Sequence, residues 1–297
     1  CTVIILSATL NTERRTQLLG AVPCKNNYPL VSALPNNCDL KEVAVEAMPD
    51  ATVQLFYTEQ ANALSEALIR AEQGQYILWI ENTVNQAQEI YKMLSARGHE
   101  MGIPCGLLHS RFSKIDRSIN EQKWVQLYSK AGAKERGKIG HVLVGTQVLE
   151  QSLDIDADFL VVRFCPTDFL LQRLGRLWRH AKTPRQTGAR REAWVIAPEL
   201  QTAIDNPEQA FGNTAYVYNP YVLCRSLEVW HDKLAIKIPG DIRGLIEATY
   251  HQREEQNLMS NWKHELIKGN RKKHRVGLDA MKRFAQIGLA KAGTTLP

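Results

Sequence analysis

Between residues 51 and 197, apolar runs of strand length alternate with amphipathic stretches of helix length, joined mostly by short connections. Strands buried on both faces, each followed by a helix, close only as a parallel sheet with helices packed on either side. The alternation therefore dictates an α/β class. The strand readings are Thr52–Tyr57, Tyr76–Ile80, Cys105–His109, His141–Val144, Phe159–Phe164 and Trp194–Ile196. Residues 61–73 read as a helix with Leu64, Leu68 and Ala71 on one face and Gly74 just past its end. Asn82 or Thr83 caps the next helix, and Ser113-x-x-Asp116 is a capping box that opens a polar helix to about Lys130. Thr167 caps a helix running to about His180.

The flanks read differently. Residues 1–22 are a strand and a helix belonging to an earlier unit; the chain enters at Cys1-Thr-Val-Ile-Ile-Leu as if in mid-strand, which reads as part of a larger protein. Residues 23–50, with prolines and paired asparagines, form a linker or insertion. Residues 51–200 are the α/β domain, 201–261 a small helical appendage and 262–297 a basic C-terminal segment. The net charge of +6 is concentrated there, with nine Lys and Arg against two acids in 262–297. Lys268-Gly-Asn-Arg-Lys-Lys-His-Arg275 is thus either a phosphate contact or a solvated terminus. No apolar stretch reaches the roughly 18 residues of a membrane span. Six cysteines without a C-x-x-C pair signal neither a zinc knuckle nor a disulfide framework, which points to a reducing, cytoplasmic setting and to no metal site.

Chemistry concentrates in three stretches. In Asp168-Phe-Leu-Leu-Gln-Arg-Leu-Gly-Arg-Leu-Trp-Arg179, read as one helix at about 100° per residue, the leucines and Trp178 share one side while Gln172, Arg173, Arg176 and Arg179 share the other. An ordinary amphipathic helix with solvated arginines would look the same. Val144-Gly-Thr-Gln-Val-Leu-Glu-Gln-Ser-Leu-Asp-Ile-Asp156 runs from a buried strand into a polar turn, where the Thr146 hydroxyl and free N–H groups can hold phosphate and Asp154 can accept from a ribose hydroxyl. Ser7-Ala-Thr9 follows another apolar strand and alone is a plain Ser/Thr turn.

In order and spacing these segments resemble the motifs of superfamily 2 helicases. The wording is similar to one family, the helicase subunit of type I CRISPR interference. It is carried by Trp79-Ile-x-Asn-Thr-Val84, Leu108-His-Ser-Arg-Phe112, Thr146-Gln-Val-x-Glu-Gln-Ser-Leu-Asp-Ile-Asp156, Leu171-Gln-Arg-Leu-Gly-Arg-Leu-x-Arg-His180 and Ile238-Pro-x-Asp-Ile-Arg-x-Leu-Ile-Glu247. The resemblance implies a RecA-like parallel sheet, the second of two helicase lobes. It also implies that Arg176 and Arg179 reach the γ-phosphate of ATP, with Gln172, Arg173 and Asp154 beside the nucleotide. Asn82, Thr83, Ser110, Arg111, Thr146 and Gln147 would line a single-stranded DNA track, and Ser7 and Thr9 would couple hydrolysis to movement. Trp178 departs from the family, which often carries histidine there.

No G-x-x-x-x-G-K-[ST] and no Asp-Glu-x-Asp/His occurs, so the phosphate cradle and the acid that holds Mg²⁺ are expected in an N-terminal helicase lobe, and this chain alone is expected not to turn over ATP. The resemblance further implies a His-Asp nuclease domain, in cis or in trans, and a CRISPR surveillance (Cascade) complex as partners in antiviral defence. Two other readings compete: a superfamily 2 helicase of another DNA or RNA pathway, and a passive nucleic-acid-binding lobe. The second would leave the aligned arginines without a phosphate to meet.

Overall fold

The computed structural model describes residues 4–293 apart from 6, 8, 9, 21, 24, 26, 36, 37, 47, 138 and 151–153. The main sheet has seven strands: β1 (Ala51–Tyr57), β2 (Tyr76–Ile80), β3 (Cys105–Leu108), β4 (His141–Gly145), β5 (Phe159–Arg163), β6 (Glu192–Ile196) and β7 (Ala235–Ile238). They lie in the order β3-β4-β2-β5-β6-β1-β7, parallel except for β7, which pairs antiparallel with β1.

All five residues of β2 are buried, and they alternate between two apolar layers. Ile77 and Trp79 point to one side, against Ala63 and Leu68 of helix α1 (Gln60–Glu72) and Ile90 and Leu94 of α2 (Val84–Glu100). Tyr76, Leu78 and Ile80 point to the other, against Leu170 and Leu174 of α4 (Thr167–Leu174) and Leu223, Leu227 and Trp230 of α5 (Pro220–Trp230). The same layer takes Trp124 and Tyr128 of α3 (Lys114–Tyr128). A period of two along each strand thus serves helices on both faces, the arrangement expected of an α/β sheet.

Several boundaries moved. The helix after Thr167 ends at Leu174, not His180; Gly175 caps it, Trp178 adopts φ 51°, and Leu177 forms a parallel bridge with Ala157. Gly175, inside the helix as drawn from the sequence, is therefore its terminus. Pro166 rather than Thr167 is the cap; the buried Thr167 hydroxyl bonds Thr249 and the Trp230 indole. β7 escaped the sequence reading because only Ile236 of its four residues is fully buried. Through β7 and α5, the stretch read as an appendage adds an edge strand and shares one core with the sheet.

The basic segment is not a free tail either. It begins inside helix Asn257–Lys268, and Lys268, Lys273 and Arg275 pair with Asp279, Glu208 and Glu265. Residues 23–50 carry a hairpin, Leu30–Ala33 with Lys41–Ala44, closed by Arg15–Glu42.

Candidate functional site

Three adjacent strands, β3, β4 and β2, end side by side, and six expected DNA contacts sit on the turns that follow. Ser110 and Arg111 are exposed beyond β3, and Arg111 Nη1 donates to Asn85 Oδ1 at 2.8 Å. Thr83 caps α2 by accepting the Gln86 N–H at 3.3 Å, which leaves other first-turn amides at the head of a 17-residue helix open toward an anion. The other three hold the turns together. Asn82 is 1% exposed, and its amide donates to the Phe164 carbonyl at 2.7 Å and to the Thr214 hydroxyl at 3.0 Å. Thr146 is 2% exposed, and its N–H donates to the Leu108 carbonyl at 3.2 Å. Gln147 Nε2 donates to the Asn82 carbonyl at 3.0 Å and to Tyr218 Oη at 3.3 Å. Asn82 and Thr146, expected to line the DNA track, are thus buried in bonds that brace these turns, whereas Ser110 and Arg111 are exposed and Thr83 partly so.

Arg176 and Arg179 lie at the opposite end of the sheet. Helix α4 leaves the carboxyl end of β5 and runs back across its face; eight residues at about 1.5 Å each roughly retrace the strand. Arg176 and Arg179 therefore arrive at the amino end of β5, where the Ala157 N–H donates to the Arg176 carbonyl and the Trp178 N–H to the Ala157 carbonyl. The single guanidinium face drawn from a continuous helix does not form. Arg173 is wholly buried, with Nε on Glu150 Oε1 at 2.6 Å and Nη1 on the Arg163 carbonyl at 3.0 Å. Arg176 is mostly buried and donates to the Glu150 carbonyl. Burial, and then the nearby Arg179 charge, lower its pKa. The Arg179 side chain is 41% exposed, with Nε 3.5 Å from Asp154. Gln172 is half-buried on α4.

Asp154, expected to meet a ribose, keeps 44% of its side chain exposed while His180 Nε2 lies at 2.8 Å and the Lys130 N–H at 3.4 Å. Burial pulls its pKa up, but the Lys130 amide, His180 and Arg179 outweigh it and hold the carboxylate below its ordinary range. Ser7 is exposed; Thr9, and 151–153 of the polar turn, lie outside the described residues.

What the sequence reading missed is the scaffold. Asp156 and Asp158, each 1% exposed, are shared by Arg136 and Arg185. Asp156 Oδ1 also accepts the Arg179 N–H at 2.8 Å, and Asp158 Oδ2 the Tyr76 N–H at 2.7 Å. Trp178 donates to the Asp158 carbonyl and lies under Arg185 at 5.1 Å. These groups fix the backbone that aims Arg179. Asp156 was visible in its motif, but its partners come from far along the chain, and no local pattern marks them.

Residues 73–182 match the C-terminal region of the CRISPR-associated nuclease/helicase Cas3. The Escherichia coli endonuclease/helicase Cas3 is 32% identical over 63% of this chain, and the Streptococcus thermophilus nuclease/helicase Cas3 is 30% identical over 84%. The chain spans 22% and 27% of those two proteins. The crystal structure of T. fusca Cas3 with ADP superposes with a TM-score of 0.75 at 25% identity, over 98% of this chain and 35% of that one. By its motifs, its RecA-like sheet and these likenesses, the chain belongs to the Cas3 family, as a C-terminal helicase lobe.

Proposed function

We propose that the chain is the second motor lobe of an ATP-driven translocase on single-stranded DNA, acting with a CRISPR surveillance complex in antiviral defence and feeding a nuclease domain. The observation that carries this reading is the pair Arg176 and Arg179. Two like charges are held close at one sheet end by main-chain bonds to Ala157 and Asp156, in a setting that an anion entering beside them would relieve. These residues fit a nucleotide: the exposed Arg179 meets phosphate charge, Arg176 backs it, and Asp154 offers its open carboxylate edge to a ribose hydroxyl. Arg173, buried on Glu150, holds the turn in place, and the half-buried Gln172 beside it on α4 lies next to the nucleotide. The related T. fusca protein has been solved with ADP.

When bound, ATP with Mg²⁺ supplies the phosphoryl chemistry. The sequence contains no phosphate loop, so a first lobe provides the magnesium ligands. Ser7 and Thr9 precede the second lobe, where they couple the two. Among the described residues no helix is long and apolar enough to cross a membrane; a cytoplasmic site of action fits the DNA substrate.

The strand-end surface of Ser110, Arg111 and Thr83 holds sugar-phosphate rather than base edges. Binding of homopolymeric oligonucleotides to this chain should then be nearly sequence-blind and should weaken with salt at a slope of about −0.7 per phosphate neutralised. Strong base discrimination, or affinity indifferent to salt, would remove the DNA assignment.

A further inference from the structure

Along the free edge of β3 lies a groove of about 580 Å³ whose lining includes Arg111 but none of the other expected DNA contacts. Gln88 and Tyr91 of α2 form one wall, Asn120 and Lys123 of α3 the other, and Arg111 and Phe112 close the end beside the strand-end surface. Its volume is within the roughly 300–1,000 Å³ of pockets that take small organic groups.

We propose that this groove receives one unpaired nucleobase of the single strand, as a stacking pocket at the outer end of the track. The inference rests on the DNA reading above. Chemistry selects this occupant in three ways. Tyr91 and Phe112 are both half-buried and offer aromatic surface. The Phe112 ring is itself stacked on His109, with centroids 4.2 Å apart and planes 13° from parallel. The charged lining residues, Arg111 and Lys123, are both cationic, which suits the phosphates flanking a base. Gln88 and Asn120 add amides able to donate to or accept from any base edge.

The pocket is also held ready. His109 is 3% exposed, accepts the Arg111 N–H on Nδ1 at 3.2 Å, and lies 3.3 Å from the Gln88 amide through Nε2. One buried ring thereby fixes the aromatic floor, the basic end and one amide wall. Arg111 belongs to both the track and the groove. A strand passing outward over β4 and β3 meets the pocket next.

The test uses the whole chain and oligothymidylates carrying a single 5-iodouracil or a single abasic site, moved through every position. Irradiation should crosslink one position to Tyr91 or Phe112. An abasic site at that position should weaken binding about fivefold or more, as expected for one stacked base. In Tyr91→Leu the same abasic site should cost nothing further, and Phe112→Leu serves as an independent second variant. Crosslinks that map elsewhere, or abasic sites that weaken binding equally at every position, overturn the pocket while leaving the track intact. Absence of any salt-dependent single-strand binding by the parent chain overturns both.

Discussion

Replacing Glu150 by alanine isolates the brace beneath the arginine turn. Arg173 and Glu150 are an ion pair at 2.6 Å whose side chains are 0% and 3% exposed, and Arg173 also donates to the Arg163 carbonyl. Glu150→Ala would strand a guanidinium in the core, where loss of one partner of a buried pair costs about 3–5 kcal/mol. For a domain of this size each kcal/mol moves the thermal midpoint by about 2–4 °C, so the variant should melt roughly 6–20 °C below the parent. Urea unfolding followed by circular dichroism gives the free energy independently. The double variant Glu150→Leu with Arg173→Met should recover much of the loss, because apolar replacement of both partners is often neutral. A Glu150→Ala midpoint within about 2 °C of the parent would refute the reasoning and return Arg173 to the surface role its motif suggests.

Other outcomes follow from burial and charge. His109 and His141 are both held below the ordinary imidazole value of 6.5, in each case mainly by burial. The unfolded chain therefore binds more protons as pH falls, so stability should be intact above 6.5 and decline below it; His141→Gln should flatten that decline, and an unchanged slope would count against it. Truncation after Tyr250 removes Met259 from the core, the Trp262 indole from the Ile204 carbonyl and Arg275 from the Ala215 carbonyl. The truncated chain should lose several degrees of thermal stability, whereas an unshifted midpoint would make the segment a solvated tail after all.

The sheet was legible because its strands are buried on both faces, as in Tyr76–Ile80, and because Ser113 and Thr83 cap helices with side chains typical of that position. The candidate site was legible as a set of motif residues but not as a shape. A wheel drawn through Gly175 placed Arg173, Arg176 and Arg179 on one face, whereas the helix stops at Leu174 and tertiary contacts decide each one separately: Glu150 buries Arg173, and Asp156 turns Arg179 outward. Asn82 and Thr146 look like surface polar groups in sequence because nothing local announces Thr214 or the Leu108 carbonyl as partners. β7 and the bond of Arg275 to the Ala215 carbonyl are likewise set by the packing of distant segments, which periodicity does not encode.

Turnover by the proposed motor depends on Arg179 meeting nucleotide phosphate. Because its side chain is 41% exposed, Arg179→Ala should leave folding nearly unchanged, unlike changes at the buried Arg176. The decisive measurement is steady-state ATP hydrolysis, at saturating single-stranded DNA, by this lobe joined to a first lobe that carries a phosphate loop. Arg179→Ala should lower kcat by about 10³-fold or more while KM for ATP changes far less, as for an arginine acting on transition-state charge. Arg190→Ala, at a side chain 74% exposed, should stay near the parent. An Arg179→Ala enzyme that turns over within a few fold of the parent would contradict that role.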